Sequence, residues 1–115
     1  MIDGLRAAPF SAAARPNDKA VRIAVAGEID LATAPQLKAV LLAAIEQLTP
    51  PRAVKVDLTE VTFMDARGIS VLLAVREAAR RRGVGFTVQN PQGIVLRIFE
   101  IVGLTETLLL APVPR

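Results

Sequence analysis

An acid and a base, Asp65 and Arg67, stand two residues apart in the stretch VDLTEVTFMDARGISVLLAVREAARRRG. Apolar Val54, Val56 and Leu58 precede them, and Ile69, Val71, Leu72, Leu73 and Val75 follow. Residues of these types at such a junction have three uses. Asp65 can cap a helix, accepting from its free amides where a negative charge suits the dipole. Arg67 in the first turn opposes that dipole, so it is solvated, paired with Asp65 or Asp30, or held for a partner. The third use is catalytic: Asp65, with Asp57 or Asp30, as acid or base, and Arg67 holding an anionic substrate.

The catalytic use has little around it. The chain has no histidine and no cysteine, which removes the commonest general base, the commonest metal ligand and the thiolate. There is no carboxylate-rich metal motif, and Gly83-Val84-Gly85 is too short to cradle phosphate. The residues therefore read as a binding surface, with no cofactor and no metal. A helix start also seats a small anion or a nucleotide, and that reading is carried as an alternative.

The totals agree with a small soluble domain. At 115 residues the chain suffices for one hydrophobic core. With 52% hydrophobic and 22% charged residues it is not a disordered chain, and with 3% aromatics its core must be aliphatic. A net charge of +3 gives no broad phosphate-binding surface; Arg76, Arg80, Arg81 and Arg82 read as one solvated helix end. Direct nucleic-acid binding is not expected. Neither is membrane insertion, since no apolar run reaches the 18 or so residues a span needs. The first residues lack the layout of a secretory signal, so the expected location is the cytoplasm.

The elements that must position Asp65 and Arg67 follow from periodicity. Residues 1–19 form a strand-and-turn region, with a short strand around Pro9 to Ala13 and a turn at Arg15-Pro16-Asn17-Asp18. VRIAVAGEID alternates as a half-buried strand that Gly27 ends, completing a hairpin. In TAPQLKAVLLAAIEQL, Thr33 and Gln36 fit a capping box, and Leu37, Val40, Leu41, Ala44, Ile45 and Leu48 form one buried stripe. RAVKVDL is a strand with Arg52, Lys55 and Asp57 outward, and Ile69 to Arg82 a helix closed by Gly83. VGFTV is a strand. Asn90-Pro91 opens a third helix that runs to about Val102, and LTETLLLAPVPR is a tail with a short strand or turn. The order ββαβαβα implies crossover connections and a mixed, largely parallel sheet. The Asp65–Gly68 loop then lies at the strands' carboxyl ends, where open α/β sheets bind ligands. If the first long strand runs parallel to its neighbour, Gly27-Glu28-Ile29-Asp30 lies on the same edge, around apolar Met64. Turn chemistry is the other use of Glu28 and Asp30.

GEIDLATAPQLKAVL, VDLTEVTFMDARGISVLL and NPQGIVLRIFEIVGL together resemble the STAS domain of bacterial anti-sigma factor antagonists. The resemblance implies one STAS domain over residues 1–115 with its core at about 21–110, an α/β fold with a mixed five-stranded sheet and helices on one face. It implies a non-catalytic regulator of transcription that works by partner switching. Such a protein captures an anti-sigma factor that is also a serine kinase, frees a sigma factor, and is released when phosphorylated. The family loop reads Asp-Ser-Ser-Gly or Asp-Ser-Thr-Gly; here Asp65 and Gly68 match, Ala66 takes the first hydroxyl position and Arg67 the phosphoacceptor position. The loop therefore lacks the acceptor, and Ser70 and Thr62 are the nearest hydroxyls. The implied interface comprises Glu28, Asp30, Thr33, Met64, Asp65, Ala66, Arg67, Gly68 and Ser70. Two alternatives share the fold: a non-switching subunit of a lipid-transport ATPase, and a component of a stress-signalling complex. A weak homodimer is also compatible with it.

Overall fold

The structure, a computed structural model, describes residues 9–16, 20–49 and 52–104. Four strands and three helices alternate along it: β1 (Ser11–Pro16), β2 (Ala20–Ile29), α1 (Ala34–Gln47), β3 (Ala53–Met64), α2 (Ala66–Arg82), β4 (Gly85–Gln89) and α3 (Gly93–Ile101). The sheet order is β1-β2-β3-β4; β1 is antiparallel to β2, and β2, β3 and β4 run parallel. The element order and the mixed sheet are as expected. The strand number is not: the described residues form four strands, where five were implied. After α3 the Gly103 turn (φ 72°) directs the chain back, Leu104 donating to Phe99 O, and the expected last strand or turn from Thr105 on lies outside the described residues.

Burial explains the layers. Ile23 and Val25 on β2, Val54, Val56 and Leu58 on β3 and Val88 on β4 are all buried, and α1 and α2 cover them with Leu37, Leu41, Ile45, Leu72, Val75 and Ala79. Val95 and Phe99 of α3 join the same cluster. The core is aliphatic apart from Phe99 and Met64, as a chain so poor in aromatics requires.

Several boundaries differ from the periodic reading. Gly27 does not end β2. It adopts φ 92°, and the pairing with β3 slips once between Ala24 and Ala26 and again between Gly27 and Glu28. Such bulges interrupt strict alternation without ending a strand. They let β2 reach Ile29 and β3 reach Met64, six residues beyond the expected Leu58. The first strand starts later than expected and holds Arg15 and Pro16 within it. Helix α2 begins at Ala66, a turn earlier than the apolar run suggested, and ends as expected on Gly83 in the left-handed conformation. Asn90 is no helix cap. Its φ is 58°, and α3 starts after Gln92.

The basic end of α2 is also more than a solvated helix end. One Arg82 guanidinium nitrogen donates to Glu46 O (2.9 Å) and Leu48 O (3.2 Å), satisfying carbonyls that α1 leaves free at its C-terminus. Arg80 pairs with Glu77 on the surface.

A candidate partner-binding rim

The parallel pairing of β2 and β3 brings the two loops to one edge, as expected. Glu28 stands in register with Phe63 and Ile29 with Met64, and the Asp65 amide donates to Ile29 O at 3.1 Å. This bond locks the start of α2 to the end of β2.

Asp65 is the N-cap of α2, and its Oδ1 accepts from the Arg67 amide at 2.8 Å. Its carboxylate thereby satisfies one of the amides that the helix start leaves free. Arg67 and Ala66 are exposed, and no hydrogen bond or ion pair holds the Arg67 guanidinium among the described residues. Of the roles open to Arg67, pairing with Asp65 or Asp30 is excluded by these contacts: Asp30 Oδ1 accepts instead from the amides of Ala32 (2.9 Å) and Thr33 (3.2 Å). Ser70 and Thr62 are exposed near the same helix start.

Two of the expected contacts with a partner are replaced by packing. Met64 is fully buried, not an apolar rim residue. The reason is Gly68, itself buried: a Cβ there would lie 2.5 Å from Met64 Cγ and 2.9 Å from Ile29 Cγ2. Only glycine lets the first turn of α2 settle onto these side chains. Thr33 does occupy the N-cap of α1, but the capping box with Gln36 does not form. Its hydroxyl donates to Glu28 O at 2.8 Å and accepts from the Asp30 amide at 3.0 Å, so it braces the loop instead of the helix. Glu28 and Asp30 are half-buried at this loop.

The sequence reading passed over two exposed apolar side chains at the same end of the sheet. Leu31 is 64% exposed and Phe63 is 41% exposed. Phe63 had a signal, being one of four phenylalanines in the chain and an apolar residue at an outward position of the alternation that starts at Val54. It also passed over the partners of Asp57. That carboxylate bonds Arg22 (2.6 Å), the Thr59 hydroxyl (2.6 Å), the Thr59 amide (3.0 Å) and Asn90 (3.2 Å). Partial burial pushes its pKa up, but these hydrogen bonds outweigh it and hold the carboxyl well below the usual range. Asp57 thus ties β2, β3 and the β4–α3 turn together. Asp65 and Asp30 hold backbone amides, while Asp57 binds mainly the side chains of Arg22, Thr59 and Asn90. Among the described residues no group of His, Cys, Asp and Glu could hold a metal ion, and no helix is long and apolar enough to cross a membrane.

The chain has counterparts among known proteins. A family model described as "Mlab, STAS domain" matches residues 12–111. An anti-sigma-B factor antagonist of Listeria monocytogenes is 35% identical over 86 residues, covering 75% of this chain and 74% of the relative. Among solved structures, an anti-sigma factor antagonist from Mycobacterium paratuberculosis superposes with a TM-score of 0.74 at 29% identity, over 91% of this chain and 87% of that one. The unphosphorylated anti-sigma factor antagonist SpoIIAA, at 23% identity, shares the fold with a TM-score of 0.68 over 88% and 86% of the two chains.

Proposed function

This chain belongs to the STAS domain family, and on that premise we propose that it acts as an anti-sigma factor antagonist whose capture of its partner is fixed instead of switched. It is a non-catalytic regulator that binds an anti-sigma factor in the cytoplasm and so frees a sigma factor. The partner is of the serine-kinase type, and it meets the edge formed by Glu28, Asp30, Asp65, Ala66, Arg67 and Ser70. Leu31 and Phe63 flank that edge as apolar contacts, a combination typical of interface centres bordered by charge.

The observation that carries this reading is the split of roles between Asp65 and Arg67. Asp65 is consumed in capping α2, while Arg67 extends from the first turn of that helix without a described side-chain partner. Where family members carry a phosphoacceptor hydroxyl, as the resemblance implies, this chain has Arg67. A phosphate there would add about −1.5 to −2 charge beside the helix start. A guanidinium adds one positive charge that no kinase or phosphatase removes. The partner surface must accordingly offer a carboxylate to Arg67 and no cluster of cations.

A pull-down of candidate anti-sigma factors with wild type, Arg67→Ser and Arg67→Glu tests the proposal. Fixed capture predicts that wild type binds equally with and without ATP, that Arg67→Glu loses the partner, and that only Arg67→Ser becomes sensitive to ATP. A stoichiometric gain of one phosphate by the wild-type loop would refute it, as would capture indifferent to the charge at position 67.

A further inference from the structure

The face of the sheet that α1 and α2 leave bare carries its own pattern. Residues in register across a sheet share a side. Ile23, Val56 and Val88 are in register and fully buried, so the residues between them along the strands point away from the helices. On that side Arg15, Arg22 and Lys55 form a row of cations across three neighbouring strands at the hairpin end. The next row holds Ala13, Ala24 and Asp57, and the row after it Ser11, Ala26 and Glu60. Arg22 is neutralised by Asp57 at 2.6 Å, which leaves the positive charge of Arg15 and Lys55 at one end and the negative charge of Glu60 at the other. With Arg22 neutralised between them, Arg15 and Lys55 are the charges at this end that an opposite charge on a facing surface would meet.

We propose that this face joins two copies of the chain, stacked about a two-fold axis that lies across the strands at the Ala24 row. Only this axis sets the opposed ends against each other. It makes the strands of the two sheets antiparallel and places Lys55 of each copy over Glu60 of the other, two rows or about 13 Å along the strand. An axis along the strands would set cation over cation. Ala13 and Ala24 in the central row and Ala26 beside it leave that part flat enough for the sheets to approach to the usual spacing of about 10 Å, while Asp57, which the axis sets opposite its own counterpart, has its charge met by Arg22 of its own chain. The contact is isologous and stops at two copies. Four strands about 4.8 Å apart offer a few hundred Å² per copy, below the roughly 800 Å² of a standard interface, so the dimer is weak and dependent on concentration and salt. It leaves the Arg67 edge free and stands independently of the function proposed above.

Sedimentation equilibrium of the full chain over a wide concentration range tests this. The expected result is a reversible dimer that molar salt dissociates. Lys55→Glu and Glu60→Lys should each raise the dissociation constant on the order of tenfold, because symmetry breaks two pairs at once. The combined K55E/E60K chain should recover wild-type affinity, since the exchange restores opposite charges. Ala24→Arg should leave only monomer, with circular dichroism confirming the fold; if that variant unfolds, the charge exchange carries the test. A chain monomeric at every concentration overturns the proposal. So does a dimer indifferent to the reversals, or a double exchange no tighter than the single ones.

Discussion

The Asp65 carboxylate accepts a 2.8 Å hydrogen bond from the backbone amide of Arg67, so the acid of this pair holds the helix while the side chain of the base is left to the surface. Removing the acid should therefore cost stability and not recognition. Asp65→Ala is expected to lower the unfolding free energy by about 1 kcal/mol and Asp65→Asn by much less, since asparagine caps nearly as well. Urea denaturation of both variants measures this, and equal losses would remove the capping role.

Changing the base should do the reverse. A cation in the first turn opposes the helix dipole, so Arg67→Glu is expected to gain a few tenths to about 1 kcal/mol of stability, most visibly at low salt. The same substitution is expected to weaken partner capture at least tenfold. Thermal unfolding and a binding titration on one sample separate the two effects, and stability and affinity falling together would contradict it.

Gly68 has a steric reason to be glycine. Adding a methyl gains up to about 1 kcal/mol of helix propensity but forces Met64 and Ile29 apart, an overpacking cost of about 1–3 kcal/mol. Gly68→Ala should be destabilised on balance, and shortening the neighbour in a Gly68→Ala/Met64→Ala double variant should recover part of the overlap cost. Absence of any coupling between the two sites in a double-mutant cycle would rule out the contact.

Asp57 supplies a pH dependence. Its folded-state pKa lies below the unfolded one, so its stabilisation is complete above the ordinary carboxylate range and is lost as pH falls through the folded value. Asp57→Asn should lose about 1–3 kcal/mol at neutral pH, through its bonds to Arg22, Thr59 and Asn90, and should unfold with a flatter acid limb. Melting temperatures from pH 7 down into the acid range check the slope. An unchanged slope would mean that other carboxylates carry it.

Tying α1 to α2 gives Arg82 a measurable role as well. Arg82→Ala is expected to cost about 1 kcal/mol and to speed amide exchange at the end of α1, because Glu46 and Leu48 lose their donor. Exchange rates at Ile45 to Leu48 report it directly; a uniform change along the chain would not support it.

Much of the architecture was legible because local rules agreed with the global answer. The alternation in β2, the stripe of α1 from Leu37 to Ile45 and the Gly83 cap each have one period or one backbone conformation behind them. What stayed hidden depended on breaks in period. The two slips in β2–β3 pairing lengthened both strands and brought Val61 inward between them, and being one residue each they cancel, so Met64 ends inward and Phe63 outward. The Asp57 network could not be read because Arg22 is 35 residues away and Asn90 is 33. Near the start of α2, Asp65 caps the helix as its type suggested, while Ala66 and Arg67 form its first turn and not the loop expected before Ile69, and Thr33 found a carbonyl nearer than the helix it was expected to cap.

The seating of Gly68 on Met64 and Ile29 leaves the rim no slack of its own. On the function proposed above, recognition would thereby be keyed to the interior. A conservative exchange at Ile29, invisible from outside, would then tilt the Arg67 guanidinium, and heat-sensitive variants of the interior should mimic lesions of the surface well before the chain melts.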